Sequence, residues 1–131
     1  MSVVGLSVGD FFLISALTWR VYKSCKDSSH DFQSISTDVL SMHVVLKEIE
    51  DHILDRSLPK AQEENLTSVA QACHAILKEL ESVLGKYESL GTKAQRTWDR
   101  MRWGIEEIDK LRMRLVTTTT MLVAFNTTVT K

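Results

Sequence analysis

Apolar positions along this chain recur in steps of three and four, the period of an amphipathic helix. The series Phe32, Ile35, Val39, Met42, Leu46, Ile49 and Ile53 alternates the two steps without a break. Leu66, Val69, Cys73, Ile76, Leu80, Val83 and Tyr87 repeat the pattern, with Ala70, Leu77 and Leu84 widening the stripe. A mean spacing near 3.5 residues is the seam of long helices packed nearly antiparallel. A further stripe runs Trp98, Met101, Ile105, Ile108, Leu111, Leu115, Thr118, Leu122 and Phe125. Its step from Ile108 to Leu111 departs from the strict alternation, and Gly104 weakens a helix there by about 1 kcal/mol relative to alanine. The segment therefore reads as one long helix or two, bent or split near Gly104.

The first segment differs. Around FFLISALTW, Val8, Phe11, Phe12, Ser15, Trp19 and Tyr22 follow one face, while Leu13, Ile14, Leu17 and Val21 cover much of the rest. A helix apolar nearly all round belongs at the centre of a bundle or against lipid. Burial at the centre is the expectation for the resting protein.

The breaks between stripes carry suitable chemistry. Ser7 can cap the first helix with Asp10 three residues on, and Thr92 with Gln95 repeats that box. Residues 24–31, SCKDSSHD, are a polar break; Pro59 suits a helix start and Gly91 a helix stop. The pattern predicts helices over about 7–24, 30–56, 60–88 and 92–128. Short connections between long amphipathic helices predict an all-α, antiparallel up-down four-helix bundle forming a single domain over 1–131.

Composition agrees: at 131 residues, with 44% hydrophobic and 25% charged positions, the chain can bury a core of its own. Five glycines and one proline are too few for the turns of an all-β fold. The net charge of −1 gives no bulk attraction to nucleic acid, and none is expected as a partner. The charge is uneven: residues 1–59 hold 5 Lys/Arg against 8 Asp/Glu, and residues 92–131 hold 8 against 4. Cys25 and Cys73 read as reduced, apolar core residues. The first segment lacks a basic leader and a cleavage site, so it does not read as a secretory signal. FFLISALTW, at nine residues, is short of the roughly 20 needed for a membrane span.

No catalytic constellation emerges. His30, His43, His52 and His74 contain no zinc-hydrolase pair, and His43 and His52 read as surface or boundary residues. Glu48, Glu50 and Asp51, like Glu106, Glu107 and Asp109, read as solvated helix faces. GLSVG lacks the lysine and preceding strand of a phosphate loop. Cys73 and His74 point about 100° apart on a helix, which argues against a nucleophile–base pair. The expectation is a non-enzyme with no cofactor and no metal. The one basic concentration is Lys93, Arg96, Arg100, Arg102, Lys110, Arg112 and Arg114, interleaved with Trp98 and Trp103. Trp98 lies on the apolar stripe. Trp103 lies about 140° away; the cluster reads either as a solvated helix face whose tryptophans enter the core or as a basic aromatic surface for anionic headgroups or an acidic domain.

The opening residues Ser7, Val8, Gly9, Asp10 and Phe11, then Asp27, Ser28, Phe32 and Gln33, resemble the N-terminal domains of fungal STAND receptors. These are NLR-like proteins with a central nucleotide-binding module. Trp98, Arg102, Trp103, Ile108, Leu111, Arg112, Leu115, Leu122 and Phe125 resemble that group's closing helix. The resemblance covers both ends, while the middle agrees only in pattern; Gly104 and the Thr117–Thr120 run depart from it. It implies a helical bundle related to HeLo-like domains, which execute regulated cell death or heterokaryon incompatibility at membranes.

The function so implied is a signalling and effector domain heading a longer receptor, with a nucleotide-binding module downstream in cis. It would be cytoplasmic at rest, would self-associate on activation and would relocate to anionic lipid of the plasma membrane. Candidate membrane or oligomerisation residues are Val3, Val4, Leu6, Val8, Phe11, Phe12, Leu13, Ile14, Leu17 and Trp19. Candidate basic-surface residues are Lys93, Arg96, Arg100, Arg102, Trp103, Lys110, Arg112 and Arg114. The alternative is a homotypic adaptor bundle that never touches lipid.

Overall fold

The three-and-four repeats fold as helices, and their ends fall within a few residues of the predicted ones. The computed structural model describes residues 8–27, 30–54, 57–89 and 94–130, with side chains described over 11–27, 32–54, 57–86 and 108–130. Four helices follow in order: α1 (Val8–Lys26), α2 (His30–Ile53), α3 (Lys60–Ser89) and α4 (Ala94–Thr130). The described residues contain no strand. The protein is an all-α four-helix bundle.

Local chemistry marks two of the ends. The Pro59 carbonyl accepts the first bond of α3 from the Glu63 N–H at 3.0 Å, and the Asp27 N–H donates to the Lys23 carbonyl at 2.9 Å to close α1. Proline lacks an N–H, which costs nothing where no helical acceptor exists. The last segment is a single helix: α4 passes through Gly104 and extends over 37 residues, about 55 Å at 1.5 Å per residue. Ser7, Thr92 and the loop residues between them and their helices lie outside the described residues.

The core is the expected set of seams. Phe32, Ile35, Val39, Met42, Leu46, Ile49 and Ile53 from α2 are all buried, as are Leu66, Val69, Ala70, Cys73, Ile76, Leu77, Leu80, Val83 and Leu84 from α3. α4 contributes Ile108, Leu111, Leu115, Thr118, Leu122, Phe125 and Val129, again in alternating steps of three and four. At about 1.5–3 kcal/mol for each large apolar side chain removed from water, these seams dominate the favourable side of folding.

α1 packs on α2 and α3, and α4 packs on α2 and α3, whereas α1 and α4, like α2 and α3, occupy opposite corners. Helix directions alternate up and down, as predicted. Yet the connection from α2 to α3 crosses the end of the bundle diagonally, so only half of the lateral neighbours are antiparallel. Arg112 meets Asp38 and Asn126 meets His52, so α4 runs parallel to α2. Arg20 meets Glu81 while Leu13 lines a groove with Gln71, so α1 runs parallel to α3.

Candidate functional site

The first helix is two-faced. Its buried line is Phe11, Ile14, Thr18, Val21 and Cys25, flanked by Ser15 and Leu17. Thr18 sits at the centre of that line, fully buried, with its hydroxyl donating to the Ile14 carbonyl at 2.7 Å. A threonine whose hydroxyl is satisfied within its own helix packs through its methyl, which is how a polar residue occupies a seam. Choosing this line turns Phe12, Leu13 and Trp19 outward, at 37%, 68% and 47% exposure. Central burial of the whole helix is therefore corrected: of the candidates, Phe11, Ile14 and Leu17 are core, while Phe12, Leu13 and Trp19 face solvent. Val3, Val4 and Leu6 lie outside the described residues, and Val8 lies in α1 with its side chain outside them.

The outward aromatic is held in place. The Trp19 ring lies 5.2 Å from Tyr22 and 5.2 Å from the His43 imidazole of α2, tilted against both. Tilted pairs at this separation add about 0.5–1.5 kcal/mol beyond area burial. Beside it the cations of α1, Arg20, Lys23 and Lys26, are exposed, with the Lys26 ammonium 6.0 Å from the Tyr22 ring centre. Arg20 donates from Nε and a terminal nitrogen to Glu81 Oε2 at 3.2 and 3.1 Å. Lys78 donates to Glu81 Oε1 at 3.1 Å. The hydrogen bond from Lys78, helped by Arg20 and opposed by slight desolvation, holds the Glu81 carboxyl below its ordinary range. One carboxylate thus serves two cations. The adjoining groove between α1 and α3 is lined by Leu13, Ile14, Leu17 and Arg20 from α1 and by Gln71, His74 and Lys78 from α3.

On the other flank, Phe12, Ser15, Ala16, His43, Lys47 and Glu50 line a groove between α1 and α2. Glu50 departs from the expectation of a solvated face: it is 4% exposed, lining the groove against α1, with Lys47 Nζ of its own helix 3.6 Å away. Glu50 Oε2 and His43 Nδ1 are both buried without a hydrogen-bond partner. Glu48 and Asp51 are exposed as expected. His43 and His52 are half-buried boundary residues. The Asn126 amide nitrogen donates to Glu48 Oε2 at 3.0 Å, leaving its oxygen to accept from His52 Nδ1 at 2.8 Å. That network places the His52 proton on Nδ1.

The basic candidates do not gather among the described side chains. Arg112 Nε donates to Asp38 Oδ2 of α2 at 2.7 Å, while Arg114 pairs with Glu79 of α3. Residues two apart on a helix point about 200° apart, so these neighbours in sequence clasp opposite flanks. Lys110 is exposed. Lys93 lies outside the described residues, as do the side chains of Arg96, Arg100, Arg102 and Trp103.

Cys25 and Cys73 are free and buried, and burial pushes both thiols up to about 12. Among the described residues no group of three or more His, Cys, Asp or Glu could hold a metal ion, and no helix is long and apolar enough to cross a membrane. Compared with protein-family models, curated proteins and solved structures, the chain matches none.

Sequence reasoning missed the role of Thr18, and with it the true face of α1. The signal was present, since Phe11, Ile14, Thr18, Val21 and Cys25 keep the three-and-four alternation once threonine is counted as a packing residue.

Proposed function

We infer that this bundle is a non-catalytic effector domain that docks on anionic membrane surfaces through the outward face of α1 and acts when copies are clustered. The observation that carries the reading is the strip of Phe12, Leu13 and Trp19, exposed beside Arg20, Lys23 and Lys26. Apolar and aromatic side chains flanked by Lys and Arg are the composition of a helix lying in a lipid interface. Each cation near an anionic surface contributes about 1 kcal/mol. A single strip of this size gives weak binding, so clustering on a downstream receptor module would make it persistent. The resemblance of both chain ends to fungal STAND receptor domains supports placing the bundle at the head of such a receptor, in cell-death or incompatibility signalling.

Docking in this form needs no release of α1. Withdrawing the helix would expose Phe11, Ile14, Leu17, Val21 and Cys25 at about 1.5–3 kcal/mol per large side chain, so the closed bundle makes the first contact and any release follows assembly.

Co-sedimentation with vesicles tests the reading. The chain should pellet with phosphatidylserine-containing vesicles and not with phosphatidylcholine alone, and Leu13→Glu should abolish pelleting while the bundle stays folded. Equal recovery in the supernatant with both vesicles would sink it.

A further inference from the structure

Among the described residues Glu50 is the only charged side chain in the buried set. It lines a groove of about 420 Å³ between α1 and α2, and its Oε2 has no hydrogen-bond partner. Lys47 Nζ stands 3.6 Å off, beyond hydrogen-bond reach, with its side chain 56% exposed against 5% for that of Glu50. His43 Nδ1 is a second buried polar atom without a partner. His43 lines the same groove, and its ring is braced by Trp19 at 5.2 Å. Buried polar atoms are satisfied in all but a few cases, so two orphans on one groove point to a ligand. His43 and Glu50 are two turns apart on α2, about 10 Å of rise, with Lys47 between them. The order along the groove is carboxylate, ammonium, imidazole.

We propose that this groove binds the headgroup of phosphatidylserine, with the headgroup ammonium on Glu50 and its phosphate on Lys47 and His43. A carboxylate oxygen without a donor calls for a cationic N–H, the pairing that makes the stronger hydrogen bonds. Phe12, on the α1 wall of the groove and 37% exposed, offers an ammonium an aromatic face. Lys47 then turns from Glu50 to the phosphate, so every charge keeps an opposite neighbour. His43 donates from Nδ1 to a phosphate oxygen in the tautomer that carries its proton there. Length selects the ligand. A free amino acid holds both charges on one carbon and cannot reach from Glu50 to His43, whereas this headgroup sets ammonium and phosphate several bonds apart. Lipid is the source because Phe12 also belongs to the outward strip of α1, a step that rests on the docking reading above. The groove adds a choice among anionic lipids, which charge alone does not make.

Vesicles of equal charge, containing phosphatidylserine or phosphatidylglycerol, test it. The chain should bind the phosphatidylserine vesicles about tenfold more tightly, as one charge-assisted hydrogen bond gives. Glu50→Gln should remove that preference and leave phosphatidylglycerol binding no weaker. The sign is diagnostic, since loss of a negative charge strengthens attraction that depends on charge alone. Asp51→Asn, an exposed neighbour, should keep the preference. A second arm needs no membrane: glycerophosphoserine at about 10 mM should shift the NMR signals of His43 and Lys47, and glycerophosphoglycerol should not. Shifts without vesicle binding would end the docking reading and uphold the headgroup site. Equal binding to both vesicles, a preference that survives Glu50→Gln, or no shift with glycerophosphoserine would overturn the site.

Discussion

Arg112 Nε lies 2.7 Å from Asp38 Oδ2, tying α4 to α2 across a boundary where Asp38 is largely covered. A residue that reads in sequence as part of a basic surface is thus a link between helices. Arg112→Ala should lower stability by about 0.5–1 kcal/mol, measured by urea unfolding. It should leave vesicle binding unchanged, whereas Lys23→Ala with Lys26→Ala should weaken binding several-fold. Equal losses from both variants would return Arg112 to the lipid-facing set.

The two cysteines should be silent in the folded protein. With thiols raised to about 12 from 9.0, neither should react with a maleimide at neutral pH, and both should react after unfolding. The same shift has a consequence for stability. Between about pH 9 and 12 the unfolded thiols ionise while the folded ones hold their protons. Stability is therefore full below pH 9 and falls as pH rises, by up to about 1.4 kcal/mol per pH unit for each thiol. The slope should lessen in Cys25→Ala, after allowing for that variant's constant loss.

Thr18→Val should be neutral or stabilising within about 1 kcal/mol. The hydroxyl it removes is bonded to the Ile14 carbonyl, which stays within a helix after substitution, so no buried group is orphaned. A large loss on calorimetry would show that the hydroxyl has a partner beyond its own helix.

Glu50 is buried with Lys47 as its charged neighbour. Removing the neighbour leaves an uncompensated carboxylate, while removing the charge relieves it. Lys47→Ala should therefore cost more than Glu50→Gln, by about 1 kcal/mol or more, in the same unfolding assay.

The legibility of this fold follows from how cleanly each helix separates its faces. In α2 and α3 the apolar stripe keeps to one side of the helix, and every described member of the predicted seams is buried. In α1 apolar residues outnumber the places on the seam. The eye follows Phe12 and Trp19, while the core takes Thr18, because packing selects position on the helix over hydrophobicity alone. Glu50 escaped for the opposite reason: its charged neighbours in sequence describe a solvated face, and only the approach of α1 covers it. The diagonal step from α2 to α3 has no sequence signature, since a loop at the bundle end can reach either neighbour.

The inert cysteines permit the most direct test of the docking claim. An environment-sensitive dye on Leu13→Cys samples the outward face of α1, and the same dye on Val123→Cys samples the opposite corner of the bundle. On adding phosphatidylserine vesicles, the dye at position 13 should shift to the blue and brighten, with no change at position 123 and none at either position with neutral lipid. No shift at position 13, or equal shifts at both positions, would contradict a membrane-docking face on α1.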